Sequence, residues 1–99
     1  MNTPKISIPR DKIANFCKKN YISTMSLFGS VLTDQFNSKS DVDFLVEFQP
    51  EHIPTLFDIV NMEEELSGII GRNADLKTPK GISHYFRDEV ISTAQKIYG

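Results

Sequence analysis

The sequence predicts an α/β protein, more specifically an α+β fold with a small mixed sheet of about three strands packed by about four helices. Two kinds of segment predict it: short runs rich in β-branched and aromatic residues, and longer runs with apolar residues at helical spacing. Glycine or proline stands between most of them. The chain has 99 residues, 39% hydrophobic and 24% charged, so we expect residues 1–99 to form a single domain with one modest core.

Four segments carry apolar residues at helical spacing or begin at a residue that favours a helix start. The predicted helices are 9–20, 30–35, 54–67 and 83–98. In the last one, the apolar stripe consists of Phe86, Val90, Ile91, Ala94 and Ile97. We therefore expect the chain to end in a helix.

Three shorter segments are predicted as strands, and each stops at a turn signal. They are 22–28, 43–48 and 74–77. The first is followed by Gly29, the second by Gln49-Pro50 and the third by Thr78-Pro79. The predicted order is α-β-α-β-α-β-α, a layered unit in which helices pack on one small sheet.

Charge and cysteine content narrow the classes of function. The formal net charge is −2, so a broad basic surface for duplex nucleic acid is not expected. The single cysteine, Cys17, allows no internal disulfide and no cysteine-based zinc site, which is typical of a reducing compartment. No apolar run suits a signal peptide or approaches the ~20 residues of a membrane span. We expect a cytoplasmic protein that binds neither membrane nor nucleic acid.

Two acids stand at the start of the second predicted strand. Side chains alternate along a strand, so Asp41 and Asp43 share a face, with Cα atoms about 6.6 Å apart. Both carboxylates can then reach the same metal ion, and Mg²⁺ prefers such hard oxygen ligands together with substrate phosphates. On its own the pair also fits two exposed acids at a strand edge.

A glycine and a serine follow the first predicted strand. Gly29 allows the backbone to approach a phosphate closely, and a helix start offers free N–H groups and the positive end of its dipole. The Ser30 hydroxyl adds one donor. On its own this segment also fits a tight turn with a serine cap. Together, the two motifs place a phosphate cradle beside a metal-binding pair on consecutive strands.

Gly29-Ser30, followed after ten residues by Asp41 and Asp43, resembles the signature of the polymerase-β-like nucleotidyltransferase superfamily. The surrounding segments SLFGS and SDVDFLVEF are similar to those of minimal nucleotidyltransferases (MNT) of bacteria and archaea. The likeness covers about residues 22–98. It implies the nucleotidyltransferase fold for the predicted sheet and helices.

The resemblance also implies roles for individual residues. Asp75 lies where the family has a third carboxylate on a later strand. Asp41, Asp43 and Asp75 are then expected to bind Mg²⁺, with Asp75 helping to activate the attacking hydroxyl. Gly29 and Ser30 are expected to hold the β- and γ-phosphates of ATP, so ATP and Mg²⁺ are the expected substrate and cofactor.

One segment departs from the family pattern. Members of the group often carry an Arg and a Gly a few residues after the Gly-Ser pair, where this chain has Thr33 and Asp34. A missing cation and an added acid weaken the expected binding of a triphosphate. Lys39, Arg72 and Lys77 are the candidates for supplying the charge instead.

Three functions stay open from the sequence. The first is an antitoxin enzyme that transfers AMP from ATP to a protein hydroxyl, namely a tyrosine of a small helical HEPN ribonuclease toxin, within a hetero-oligomer. The resemblance and the absence of a second, acceptor-gripping domain favour it. The second is an inactive antitoxin of the same fold that neutralises its partner by binding alone, which Thr33 and Asp34 favour. The third, an enzyme acting on a small molecule or an RNA end, fits the short acidic chain less well.

Overall fold

The computed structural model describes residues 6–99. The helices are α1 (Arg10–Lys19), α2 (Leu56–Ile70) and α3 (His84–Thr93). The strands are β1 (Ile22–Phe28), β2 (Val42–Phe48), β3 (Ala74–Lys77) and β4 (Gln95–Tyr98). Two short 3₁₀ helices cover Gly29–Leu32 and Pro79–Gly81. None of the helices between residues 6 and 99 is long and apolar enough to cross a membrane.

The four strands form one mixed sheet in the order β3-β2-β1-β4. β1 pairs antiparallel with both β2 and β4, whereas β2 and β3 run parallel, joined by α2 as the crossover helix. The predicted fold class, a small mixed sheet packed by helices, is confirmed. The predicted counts of strands and helices need correction, because the described chain has four strands and three α-helices.

The predicted helix 30–35 is absent as an α-helix, and the additional strand arises at the C-terminus. The predicted helix 83–98 is right only as far as Thr93. Ala94 has extended backbone angles, and the next four residues form β4 against β1. Ile97, predicted on a helix stripe, is instead the buried residue of β4, at 8% exposure. The free edge of β1 accepts this strand, which is a contact that local periodicity does not report.

The core lies between one face of the sheet and the helices α1 and α2. Its fully buried large side chains come from every one of these elements, among them Phe16, Met25, Leu27, Phe44 and Leu66. The helical spacing of Leu56, Ile59, Val60 and Leu66 predicts one apolar side for α2, and this prediction is partly wrong. Met62 and Leu66 are buried, but Leu56 and Val60 are 78% and 43% exposed.

Candidate active site

The second face of the sheet carries the polar residues, and we call it the polar face. Alternation along each strand puts Asp43 and Glu47 of β2 on this face, opposite to the buried Phe44 and Val46. Asp75 of β3 lies on it as well, because Asp43 and Asp75 are paired across the parallel strands. The predicted acids of β2 and β3 are therefore neighbours, one strand apart.

Gly29 brings the end of β1 against Asp43. Its φ of +79° is in the left-handed region that favours glycine. A Cβ added to Gly29 would lie 2.7 Å from Asp43 Oδ2, closer than such contacts allow. Phe28, the preceding residue, pairs with Asp43 across the antiparallel strands. The sequence-based prediction that the glycine turn lies beside the acid pair thus agrees with this geometry.

The helix that follows Gly29 is shorter than predicted. The predicted helix 30–35 is a four-residue 3₁₀ turn, Gly29–Leu32, closed by Thr33, whose backbone N–H donates to Ser30 O at 2.9 Å. Thr33 Oγ1 also donates to Ser30 O at 3.0 Å and accepts from the Gln35 N–H at 3.2 Å. So short a turn has little dipole, so its N–H groups and the Ser30 hydroxyl are the groups that could hold a phosphate.

Asp41 is placed differently from the other two acids. β2 begins at Val42, so Asp41 lies just outside the strand and is exposed, whereas Asp43 and Asp75 are half-buried. Asp41 is nevertheless close enough for its charge to affect Asp43. The sequence-based argument that both acids share one strand face therefore does not apply, although the two side chains are near each other.

The electrostatics of the site centre on Asp43. Burial raises the pKa of its carboxyl, and the adjacent carboxylate of Asp75 raises it further. Lys77 lowers the pKa of Asp43, and Asp41 raises it. The net upward direction means that the ionised form is disfavoured by its surroundings. A cation bound among these oxygens would relieve that repulsion.

The strand that carries Asp75 is held by side chains of α2. β3 is an edge strand, and its outward N–H groups need partners. Leu76 N–H donates to Glu63 Oε2 at 2.8 Å, and Ala74 N–H donates to Ser67 Oγ at 2.9 Å. The acidic run 63–65 predicts a solvated helix face, but the carboxylate of Glu63 instead holds β3 in place. Glu63 and Ser67 are four residues apart and so lie on one face of the helix, and this spacing is the sequence signal that both could contact the same neighbouring strand.

The three residues predicted to supply positive charge, Lys39, Arg72 and Lys77, lie in different parts of the structure. Lys77 is exposed, two residues beyond Asp75 on β3 and paired with Leu45 in the strand register, so it lies on the polar face. Arg72 instead donates from Nη2 to the carbonyls of Asn37 and Ser40, at 2.5 and 2.8 Å. Of Arg72 and Lys77, only Lys77 is thus directed to the acids; Lys39 lies exposed in the loop before Asp41.

The donor set fits a divalent cation of the Mg²⁺ type. The carboxylates of Asp41, Asp43 and Asp75 are hard oxygen donors, and their mutual repulsion at Asp43 is what a bound cation would offset. Over residues 6–99, no three His, Cys, Asp or Glu side chains are grouped closely enough to form a ready-made metal cluster. The residues therefore suit a metal that enters with its phosphate ligands, which is the usual mode for Mg²⁺.

The polar face around the acids is an open surface rather than a deep pocket. A cavity of about 540 Å³ lies at the other end of the sheet, where Tyr21 and His52 are stacked, and none of the three acids lines it. A smaller cleft of about 240 Å³ on the polar face is lined by Leu45, Glu47 and Ile91 of α3. Asp75 lines another open cleft of about 360 Å³, between β3 and α2. The site is thus open to a large acceptor.

Carboxylates on neighbouring strands beside a glycine turn are typical of proteins that transfer phosphate-bearing groups. Comparison with known proteins identifies the family within this class. The family model described as "Polymerase beta, Nucleotidyltransferase" matches residues 11–99. The chain therefore belongs to this nucleotidyltransferase family.

Individual relatives agree with this assignment. A Methanocaldococcus jannaschii protein that carries the name of a protein adenylyltransferase is 30% identical over 83 residues, covering 84% of this chain and 87% of that protein. A crystal structure of a toxin–antitoxin with AMP-PNP matches with a TM-score of 0.75 and 18% identity, over 93% of this chain and 74% of that chain. A tri-AMPylated Shewanella oneidensis HEPN toxin in complex with MNT antitoxin matches with a TM-score of 0.65 and 18% identity, over 91% and 69%. The two structures support the fold.

Proposed function

We propose that this chain transfers AMP from ATP to a tyrosine hydroxyl of a HEPN-type toxin and acts as the antitoxin of that pair. Mg²⁺ is held by Asp41, Asp43 and Asp75 in this proposal, and the β- and γ-phosphates by the turn at Gly29 and Ser30. The observation that carries it is the contact of Asp43 with the glycine turn on one side and its pairing with Asp75 on the other.

The reaction needs little covalent chemistry from the protein. The acceptor oxygen forms a bond to the α-phosphorus, the bond from that phosphorus to the bridging oxygen of the β-phosphate breaks, and pyrophosphate leaves. The hydroxyl proton passes to the carboxylate of Asp75. When bound, Mg²⁺ neutralises charge on the phosphate oxygens. Asp43 orients the transferred phosphate, since it lies between the glycine turn and Asp75.

The chemistry of the acceptor is inferred from the relatives and from the shape of the site. The M. jannaschii relative carries a protein adenylyltransferase name, and one matching structure contains an AMPylated HEPN toxin. The polar face of this chain is open, and α3, whose Ile91 lines the cleft on that face, exposes Tyr85 and Phe86 by 81% and 60%. An acceptor protein that brings its own docking surface suits this arrangement better than a small molecule, which needs an enclosing pocket.

A second candidate, neutralisation by binding alone, is favoured by one feature of the site. The described acids are not grouped as a finished metal cluster, and Thr33 stands where relatives often have a cation. A domain of this kind would bury the active site of its toxin without turning over ATP. The two candidates differ in whether neutralisation requires Asp43.

The test is label transfer from ATP labelled at the α-phosphate, with Mg²⁺, in host lysate and with a co-expressed HEPN-type toxin. We expect one labelled protein, with the label on a tyrosine by mass spectrometry. Asp43→Asn should lower the labelling rate at least about 100-fold, because a charge-stabilising group of the transition state is lost. Asp11→Asn, an exposed acid of α1 remote from the site, is the matched control and should label normally.

Toxin neutralisation measured with the same variants separates the two candidates. Loss of neutralisation in Asp43→Asn, with the protein still folded and bound to the toxin, supports AMP transfer. Full neutralisation by Asp43→Asn, together with no Asp43-dependent label, would overturn the enzymatic proposal in favour of binding alone.

A further inference from the structure

Arg72 joins the segment before β3 to the loop that leads into the acids. Its Nη2 donates to the carbonyl of Asn37 at 2.5 Å and to the carbonyl of Ser40 at 2.8 Å. Its guanidinium carbon lies 4.3 Å from the centre of the Phe36 ring, which packs against the core. The guanidinium therefore contacts a loop about 30 residues earlier in the chain, with contacts at both ends of a tight turn.

The turn from Asn37 to Ser40 is already closed by its own hydrogen bonds. Ser40 N–H donates to the carbonyl of Asn37 at 3.1 Å, and Asn37 N–H donates to Ser40 Oγ at 3.1 Å. Lys39 N–H donates to Asn37 Oδ1 at 2.8 Å. These bonds fix the shape of the turn, but they do not attach it to the sheet. Among the side chains described, Arg72 makes that attachment, through the two carbonyl oxygens.

The turn stands directly before Asp41. Ser40, one end of the turn, is the residue next to Asp41, and the following residue, Val42, donates its N–H to the carbonyl of Asn73 at 2.9 Å. Asp41 is thus held on one side by the β2–β3 pairing and on the other by the carbonyl bonds of Arg72. Because Asp41 lies outside β2, the sheet alone does not fix its direction.

We propose that Arg72 is a positioning residue: it holds the Asn37–Ser40 turn so that the carboxylate of Asp41 is directed toward Asp43. The inference rests on the proposed function, in which both acids bind the metal. It assigns Arg72 to the placement of a metal ligand and not to the binding of the triphosphate, since its guanidinium is already engaged with two carbonyl oxygens and an aromatic ring.

The chemistry of the contact requires arginine rather than any cation. A planar guanidinium donates to two carbonyls from one nitrogen while its face stacks on a ring, and an ammonium group has no such plane. Nε of Arg72 is buried and has no hydrogen-bond partner within residues 6–99. A buried, unpaired donor is unfavourable, so the contacts at the far end of the side chain must offset it.

The test compares Arg72→Lys with Arg10→Lys. Arg10 is a matched control because its Nη1 also donates to a backbone carbonyl, that of Ile97 at 3.1 Å, away from the acids. The first readout is amide hydrogen exchange at residues 37–41 in the metal-free protein. The second is Mn²⁺ binding, measured by electron paramagnetic resonance in the presence of AMP-PNP. The third is the kcat and KM for ATP in label transfer.

We expect Arg72→Lys to speed exchange at residues 37–41 at least about 10-fold and to raise the Mn²⁺ concentration for half-saturation roughly 10- to 100-fold, the range typical of residues that orient a metal ligand. kcat should fall while KM for ATP changes little, because the phosphate contacts stay intact. Arg10→Lys should leave all three readouts unchanged. A rise in KM with unchanged exchange would overturn the inference and make Arg72 a phosphate-binding residue.

The exchange measurement keeps the inference separate from the proposed function. It uses the folded chain without metal or nucleotide, so it reports on the turn even if Mn²⁺ does not bind to the unsubstituted protein. Absence of Mn²⁺ binding in that protein counts against the proposed function. Unchanged exchange and unchanged Mn²⁺ affinity in Arg72→Lys would overturn the positioning role itself.

Discussion

The two faces of the sheet differ sharply, although their residues alternate along the same strands. On β2, Phe44 and Val46 are fully buried under α1 and α2, while Asp43 between the glycine turn and Asp75 is half-buried and surrounded by other charges. One face therefore supplies most of the hydrophobic stabilisation. On the other face, burial and then repulsion from Asp75 raise the pKa of Asp43. Adjacent residues of the same strand therefore serve different purposes: one packs in the core, and the next lies in the candidate site.

The core face should show the largest effect on stability. Replacing Phe44 by Ala removes a fully buried ring and leaves a cavity, so the free energy of unfolding should fall by about 3–5 kcal/mol. Urea denaturation followed by circular dichroism measures it. The control is Glu47→Gln, an exposed position on the polar face of the same strand, for which a change within about 0.5 kcal/mol is expected. Comparable losses in both variants would contradict the division between the faces.

The sequence predicts the core face and the site for the same physical reason. Alternation in the segment that became β2 places apolar and acidic residues on opposite sides, and Gly29 marks the turn that only glycine fits without strain. These signals are local, so they are readable in one chain. The predicted pairing of the acids with the glycine turn therefore agrees with the observed geometry.

The features missed by sequence reasoning depend on distant contacts. The four residues of β4 contain one buried isoleucine, and that spacing fits either a helix end or a strand until the free edge of β1 is known. The sequence makes Arg72 a candidate for supplying charge to the triphosphate, because its carbonyl partners at Asn37 and Ser40 lie more than thirty residues away and are not readable from it.

Gly29 directly follows β1 and lies against Asp43, so its replacement should affect both stability and the candidate site. Gly29→Ala should destabilise the protein by about 1–3 kcal/mol, since alanine is strained at φ +79° and its Cβ would lie 2.7 Å from Asp43 Oδ2. Label transfer should fall roughly 10- to 100-fold as that carboxylate is displaced. Thermal unfolding and initial labelling rates measure the two effects.

Gly68→Ala is the matched control for Gly29→Ala. Gly68 lies in α2, and nothing lies within 4 Å of the position a Cβ would take. Alanine there should stabilise the helix by about 0.5–1 kcal/mol and leave labelling unchanged. If Gly29→Ala behaves like Gly68→Ala, the close approach of the turn to Asp43 is not a requirement of the site.

Replacement of Asp43 on the polar face should raise stability rather than lower it. Burial and the carboxylate of Asp75 raise the pKa of Asp43, so the contribution of this carboxyl to stability is fully present below its ordinary pKa of about 3.9 and is lost as pH rises through the raised value. Asn does not ionise. Asp43→Asn should therefore raise Tm at pH 7 to 8 by roughly 2–8 °C, with a gain that shrinks toward zero as pH falls to 4.

Thermal unfolding of Asp43→Asn across pH 4–8, compared with Asp11→Asn, checks this dependence. Asp11 is exposed in the first turn of α1, where its charge is favourable to the helix, so its replacement should not raise Tm. A gain in Asp43→Asn that is largest at high pH means that the polar face keeps an acid at the expense of stability. A gain in Tm that does not depend on pH would assign the effect to packing. A loss in Tm would mean that the ionised carboxylate stabilises the fold. The two faces would then be less separate than their burial indicates.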